Sequence, residues 1–167
     1  MSDLIEGMLL LTQIARAELR RRPVDLSAMA AHVLRELREA APERQVQVHV
    51  QPGLVVEADP QMMHSLVQNL LGNAWKYTGR TADARIDVAA AERDGRRGFA
   101  FTDNGIGFDR ARATRLFTPF GRMHADSDFP GLGVGLATVK RIVERHGGHI
   151  EADSAPGRGT CIFVSLG

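Results

Sequence analysis

Asn69, Asn73 and Lys76 recur at i, i+4 and i+7 in a segment where Met63, Leu66, Val67, Leu70 and Ala74 keep helical spacing. A helix here would carry those three polar groups on one stripe beside its core face. A carboxamide oxygen is a neutral hard donor suited to Mg²⁺, an ion that keeps several waters and completes its octahedron with phosphate oxygens. An ammonium one turn further on can neutralise the same phosphates as a point charge. A plain solvated stripe would show the same spacing. Downstream, Asp103 ends the apolar run Phe99-Ala100-Phe101 and opens Asp103-Asn104-Gly105-Ile106-Gly107. A carboxylate at a strand's end can accept a hydrogen bond from an exocyclic amine. A buried acceptor left unpaired by the wrong base supplies selectivity of about 10⁴, which fits adenine. Gly105 and Gly107 permit positive φ and close approach of backbone to a ligand. An Asx-type turn without a ligand would read the same way.

A second glycine run, Gly131-Leu132-Gly133-Val134-Gly135-Leu136, opens a helical pattern through Ile142. Free amides at a helix mouth, preceded by glycines, form an anion site. The run lacks the Gly-Lys-Ser/Thr ending of a Walker loop. Its Gly-x-Gly-x-Gly spacing is not that of a dinucleotide fingerprint either.

Several elements must position these groups. Leu4, Met8, Leu11 and Ala15 repeat at helical spacing between Asp3 and Arg21, widened by Ile5, Leu9 and Leu10, and Pro23 stops the pattern. So wide a stripe wants partners on more than one side, as in a bundle. Asp25 is placed to cap a second helix carrying Leu26, Met29, Ala30, Val33, Leu34 and Leu37, closed by Pro42. Val46, Val48 and Val50 alternate with polar residues, and Leu54-Val55-Val56 follows the Pro52-Gly53 turn, so the two runs are expected to pair. Asp59-Pro60 starts the Asn-bearing helix, which runs to about Tyr77. Strands are expected at 85–89, 98–102, 149–152 and 160–164, and a helix at 134–146. The pattern predicts an α/β two-layer sandwich, a mixed and largely antiparallel sheet with three helices on one face, and a bundle-type N-terminal helix outside that layer.

With 167 residues, 44% of them hydrophobic, the chain can bury an ordinary core. Lys+Arg 21 against Asp+Glu 20 leaves a net charge of +1, which gives no global pull toward nucleic acid or an anionic membrane. Arg20-Arg21-Arg22, the one compact basic run, reads as a solvated helix end complementing the macrodipole. Met8 to Leu11 is far short of the roughly 20 apolar residues of a membrane helix, so no membrane contact and a cytoplasmic location are expected. Cys161, in the alternating run Thr160-Cys161-Ile162-Phe163-Val164, reads as a small buried residue.

Over residues 24–166 the chain resembles the ATP-binding catalytic domain of a bacterial sensor histidine kinase. Asn69-Leu70-Leu71-Gly72-Asn73-Ala74-Trp75-Lys76-Tyr77 matches the N box and residues 103–107 the first glycine box. Leu116-Phe117-Thr118-Pro119-Phe120 matches the F box, and residues 131–136 the second glycine box. The resemblance implies the Bergerat fold, with ATP and Mg²⁺ as cofactors. It implies that Asn73 holds Mg²⁺, that Asn69 and Lys76 lie near the phosphates, that Asp103 meets the adenine amine and that Tyr77 lies beside the base. Gly105, Gly107, Gly131, Gly133, Gly135 and Leu136 would complete the nucleotide site. Residues 109–130 would be the ATP lid, with Phe117 and Phe120 anchoring its hinge and Arg122 reaching the γ-phosphate. The lid sequence resembles that of phytochrome-like and related multi-domain sensor kinases.

Residues 1–22 resemble the second helix of the family's dimerisation and phosphoacceptor bundle, and 23–167 the catalytic domain. None of the six histidines (His32, His49, His64, His124, His146 and His149) carries the phosphoacceptor motif. The resemblance implies as partners the phosphoacceptor helices of the full-length protein, a downstream response regulator and a second copy through residues 3–21. Gyrase, mismatch-repair and heat-shock-chaperone ATPases are similar in fold. They place a glutamate four residues before the metal-binding asparagine, where this chain has Asn69. An amide cannot accept a proton near neutral pH, which favours phosphoryl transfer to an acceptor over hydrolysis. A non-catalytic nucleotide-binding module is the third reading.

Overall fold

The computed structural model describes residues 2–108 and 135–167. Its elements run α1 (Ser2–Arg16), β1 (Arg22–Asp25), α2 (Leu26–Ala40), β2 (Gln47–Val50), β3 (Val55–Ala58), α3 (Pro60–Tyr77), β4 (Arg85–Arg93), β5 (Arg96–Asp103), α4 (Gly135–Arg145), β6 (His149–Ala155) and β7 (Gly159–Ser165). Among the described residues the main sheet has the order β2-β4-β5-β7-β6. It is antiparallel except where β2 runs parallel to β4.

One face of this sheet carries the core. Ile86, Val88, Phe99, Phe101, Ile162 and Val164 point the same way and pack with Leu34 of α2, Leu66 and Leu70 of α3, and Val139 and Ile142 of α4. The expected two-layer sandwich is the architecture observed. Period-2 strands and helices striped at 3.6 residues have one apolar side each, and burying those sides together removes both from water at roughly 25 cal/mol per Å².

Four expectations are corrected. The runs on either side of Pro52-Gly53 do not pair: β3 pairs antiparallel with β1, Val24 opposite Val56, while β2 joins β4. Gly53 at φ +77 turns the chain out of the main sheet rather than into a hairpin. The N-terminal helix ends at Arg16, short of Pro23, which lies in β1. Arg20 and Arg21 therefore sit in a connection and not at a helix end. The Arg20 amide donates to Asp59 Oδ2 at 3.0 Å, and the Arg21 guanidinium donates to the Glu57 carbonyl at 2.9 Å and the His146 carbonyl at 3.4 Å. Cys161 is half-buried, because Ile162 and Val164 take the core side of β7 and turn its thiol to the opposite face, beside Arg93 and Thr102.

α1 packs on α4, burying Ile14 and half-burying Leu11, and the Arg145 guanidinium donates to the Ala17 carbonyl. Ile5, Met8 and Leu9 stay exposed; the side chains of Leu4 and Leu10 lie outside the described set. Among the described residues no helix is long and apolar enough to cross a membrane.

Candidate nucleotide site

The site is built on α3, whose start is fixed locally. Asp59 Oδ1 accepts from the amides of Gln61 at 3.0 Å and Met62 at 3.2 Å, and Pro60 fills the first helical position, where no donor is needed. Met62, Met63, Leu66, Val67, Leu70, Leu71, Ala74 and Trp75 are buried, which leaves Asn69, Asn73 and Lys76 half-buried along the neighbouring stripe. The Asn69 amide nitrogen donates to the Ser65 carbonyl at 2.8 Å. This bond fixes the carboxamide so that its oxygen faces Gly135 at the start of α4: a Cβ built on Gly135 would lie 2.7 Å from Oδ1. The Lys76 ammonium lies 5.0 Å from the centre of the Tyr77 ring.

Asn73, Tyr77, Asp103, Gly107 and Leu136 line one shared cavity that opens to solvent. Leu70, Ala74, Phe101, Phe108, Thr160 and Ile162 complete its wall. The cavity is lined mostly by apolar groups, with the Asp103 carboxylate and the Asn73 carboxamide among them, the lining expected of a small-molecule site that orients its ligand with a few polar groups. Asp103 ends β5 opposite Thr160 of β7, and its Oδ1 accepts from the Gly105 amide at 2.8 Å. Burial pushes its carboxyl up to about 6, against the amides of Gly105 and Thr160, which lower it. The group is thus an acceptor near neutral pH that an amine donor would stabilise in its ionised form.

The two glycines after Asp103 do something the sequence did not announce. Gly107 has φ +66, as the reading allowed, but both close approaches are to the protein's own backbone. A Cβ at Gly105 would lie 2.5 Å from the Tyr77 carbonyl oxygen, and one at Gly107 2.1 Å from that of Ala155. They let the turn nest between α3 and the β6–β7 connection. The Ile106 amide then donates to the Tyr77 carbonyl at 3.2 Å, which ties the turn to the end of α3.

Sequence reasoning passed over Thr160, Phe101, Ile162 and Phe108. Strands at 98–102 and 160–164 were expected, but not that β7 lies next to β5 and brings Thr160 beside Asp103. Among the described residues no three His, Cys, Asp or Glu side chains converge to hold a metal by themselves. Phe117, Phe120, Arg122, Gly131 and Gly133, with the expected lid at 109–130, lie outside the described residues.

Residues 58–167 match the family described as Histidine kinase-, DNA gyrase B-, and HSP90-like ATPase. The chain is 34% identical over 172 residues to the circadian input-output histidine kinase CikA of Synechococcus elongatus, covering 97% of this chain and 22% of that protein. It is 37% identical over 161 residues to the sensor histidine kinase ZraS of Klebsiella oxytoca, covering 94% of this chain and 34% of that protein. It thus spans between about a fifth and about a third of the length of these relatives. Among solved structures, the mycobacterial sensor histidine kinase MprB superposes with a TM-score of 0.71 at 30% identity, over 88% of this chain and 97% of that one. Full-length ShkA in complex with AMPPNP gives 0.79 at 26% identity, over 98% of this chain and 35% of that one. The chain belongs to the histidine kinase-, DNA gyrase B- and HSP90-like ATPase family, as a catalytic domain of the sensor histidine kinase type.

Proposed function

We propose that this domain binds Mg-ATP and passes the γ-phosphoryl group to a histidine on a dimerisation helix outside these 167 residues, as the kinase step of two-component signalling. The observation that carries the reading is the convergence of Asp103 from β5, Asn73 from α3 and Leu136 from α4 on one apolar cavity. Asp103 accepts from the exocyclic amine, with Thr160 beside it; Tyr77 and Phe108 enclose the base. Asn69, Asn73 and Lys76 serve the phosphate side together with the mouth of α4. Gly131, Gly133 and Arg122 belong to that half of the site, and Phe117 and Phe120 to the hinge of the lid. Asn73 would hold Mg²⁺ through its carboxamide oxygen, a hard neutral donor suited to an ion that takes its remaining ligands from phosphate and water. Bound there, the ion supplies charge neutralisation to the phosphates.

Phosphoryl transfer asks the protein chiefly for positioning and electrostatic stabilisation. Asn69 stands where hydrolytic relatives place a glutamate base, so a protonatable acceptor must come from the substrate helix. Within residues 1–22, the helix Ser2–Arg16 serves as the remnant of the second helix of the dimerisation bundle, and 23–167 as the catalytic domain. The exposed Ile5, Met8 and Leu9, at 60%, 45% and 54%, support pairing of two copies through residues 3–21. A response regulator takes the phosphoryl group onward, in the cytoplasm.

Labelled ATP incubated with this domain and a polypeptide bearing the phosphoacceptor helix tests the reading. Label on the acceptor supports the kinase. Release of free phosphate without labelled protein would instead make the domain an ATP-hydrolysing conformational switch, and neither product would leave a nucleotide-binding module.

A further inference from the structure

The last four carbonyls of a helix have no partner within it, so each must find one elsewhere. At the end of α3 all four are satisfied. The Ala74 carbonyl accepts from the Thr78 amide at 3.2 Å and hydroxyl at 2.8 Å, that of Lys76 from the Gly79 amide at 3.2 Å, and that of Tyr77 from the Ile106 amide at 3.2 Å. The Trp75 carbonyl is reached by the Thr78 hydroxyl at 3.1 Å and by the guanidinium of Arg44, which arrives from the connection between α2 and β2.

Arg44 makes three contacts at once. Nη1 donates to the Trp75 carbonyl, Nη2 donates to Thr78 Oγ1 at 3.0 Å, and the guanidinium stacks 4.7 Å from the Trp75 ring centre. Trp75 and Thr78 are both buried. A planar fork with several fixed donors can bridge a carbonyl and a hydroxyl while lying flat on an indole; an ammonium, a compact point charge, lacks that fixed geometry. Arg44 does not line the nucleotide cavity but a separate groove with Arg38, Gln45 and Asp83. What it grips is the turn of α3 that carries Lys76 and Tyr77, whose carbonyl holds the Ile106 amide, next to the Gly105 amide on Asp103.

We propose that Arg44 is a positioning residue of the nucleotide site, holding the last turn of α3, and through Tyr77 the 105–107 turn, in the register that aims Asp103 at the base. The proposal rests on the adenine reading of the cavity. Arg44 contacts Trp75 and Thr78 and not Lys76 itself. A shift of Lys76 on the same turn would weaken both nucleotides alike, whereas the path through Tyr77 to the 105–107 turn acts on base recognition and shows as a change in ATP-over-GTP preference.

The test compares binding of Mg-ATP and Mg-GTP by titration calorimetry in the wild type, Arg44→Met and Arg44→Lys. In Arg44→Met the ATP-over-GTP preference falls about tenfold, chiefly through weaker ATP binding, and Arg44→Lys falls part of the way because it keeps charge over Trp75 without the fork. A folded Arg44→Met with an unchanged preference, or with equal losses for both nucleotides, would make Arg44 a structural residue only and overturn the proposal. Should Arg44→Met fail to fold, amide exchange at Ile106 in Arg44→Lys decides. Faster exchange there with unchanged global stability is expected, and unchanged protection overturns the assignment. A wild type that does not prefer ATP would sink the adenine reading before any variant is compared, and the proposal with it.

Discussion

The carboxamide of Asn69 occupies the space that a side chain at Gly135 would need, with Oδ1 2.7 Å from the position of the missing Cβ. In Gly135→Ala the obstacle is the end of a side chain, which can swing aside, and alanine favours a helix over glycine by about 0.5–1 kcal/mol. Stability should therefore stay within about 1 kcal/mol of wild type while Mg-ATP affinity falls about tenfold, because Asn69 has been pushed off its position. Thermal melting and calorimetry on the one variant separate the two effects. Undiminished affinity would show that the site does not use this carboxamide.

Asp103 makes nucleotide binding depend on pH. Its carboxyl is pushed up to about 6 by burial, and an amine donor requires the ionised form. Referenced to Asp103→Asn, whose amide does not titrate, wild-type ATP affinity should fall about tenfold between pH 7.5 and pH 5. A flat difference between the two proteins across that window would remove Asp103 from base recognition.

The same group carries a stability signature of opposite sense. A carboxyl whose folded pKa stands above its unfolded value contributes stability that is fully present below the unfolded pKa, near 3.9, and is lost as pH rises through about 6. At pH 7.5 the ligand-free wild type therefore holds a poorly solvated charge. Asp103→Asn, still able to accept from the Gly105 amide, should be more stable by about 1–3 kcal/mol at that pH. Denaturant titrations at pH 7.5 and pH 4.5 should find this advantage and then its reduction to about a third.

Asp59 joins three segments: its carboxylate caps α3, accepts the Arg20 amide from the α1–β1 connection, and its own amide donates to His146 Nε2 at 3.1 Å. Asp59→Ala should lower stability by about 1–2 kcal/mol, roughly 3–6 °C in melting temperature. Burial alone would raise this carboxyl, but the amides of Arg20, Met62 and Gln61, with His146, outweigh it and lower it. A depressed carboxyl keeps its contribution above the unfolded pKa and loses it only as pH falls through the folded value. Titration of the Asp59 carboxyl itself should thus leave the gap between wild type and Asp59→Ala unchanged from pH 7.5 to pH 5.5. His146, held down by burial and partly raised by the Asp59 charge, should make the gap widen modestly at the lower pH, and melts at the two pH values check it.

Two glycines offer a contrast. Gly105→Ala drives a Cβ to 2.5 Å from the Tyr77 carbonyl, so the Ile106–Tyr77 hydrogen bond must break, with a loss of about 1–3 kcal/mol and weakened ATP binding. Gly72→Ala, inside α3 with nothing within 4 Å of the added carbon, should gain about 0.5–1 kcal/mol and bind ATP as wild type does. Paired melts and titrations of both variants provide the check.

The parts of this fold written in local chemistry were legible. Asp59-Pro60 started α3, Asp25 capped α2 by accepting from the Ala28 amide at 2.9 Å, and the placing of Asn69 and Asn73 beside a core stripe followed from helical period alone. Pairing was less legible, because it is decided between segments. Pro52-Gly53 looks like a hairpin, yet the Gln51 amide donates to the Val88 carbonyl at 2.9 Å and the Leu26 amide to that of Leu54, so the strands on either side leave for different sheets. For the same reason Thr160 was invisible as a neighbour of Asp103, and so was Arg44 as the clasp on α3. Glycine spacing identified the turn after Asp103 but not what crowds it, since a glycine signals only that something comes near.

Titration of the ligand-free domain with Mg-ATP tests the central claim most directly, with Asn73→Ala alongside. The account predicts saturable heat at one nucleotide per chain in the wild type, and in Asn73→Ala loss of the part of the affinity that depends on magnesium, with the fold intact. Absence of heat from well-folded wild-type protein, or an Asn73→Ala variant that gains as much from magnesium as the wild type, would contradict it.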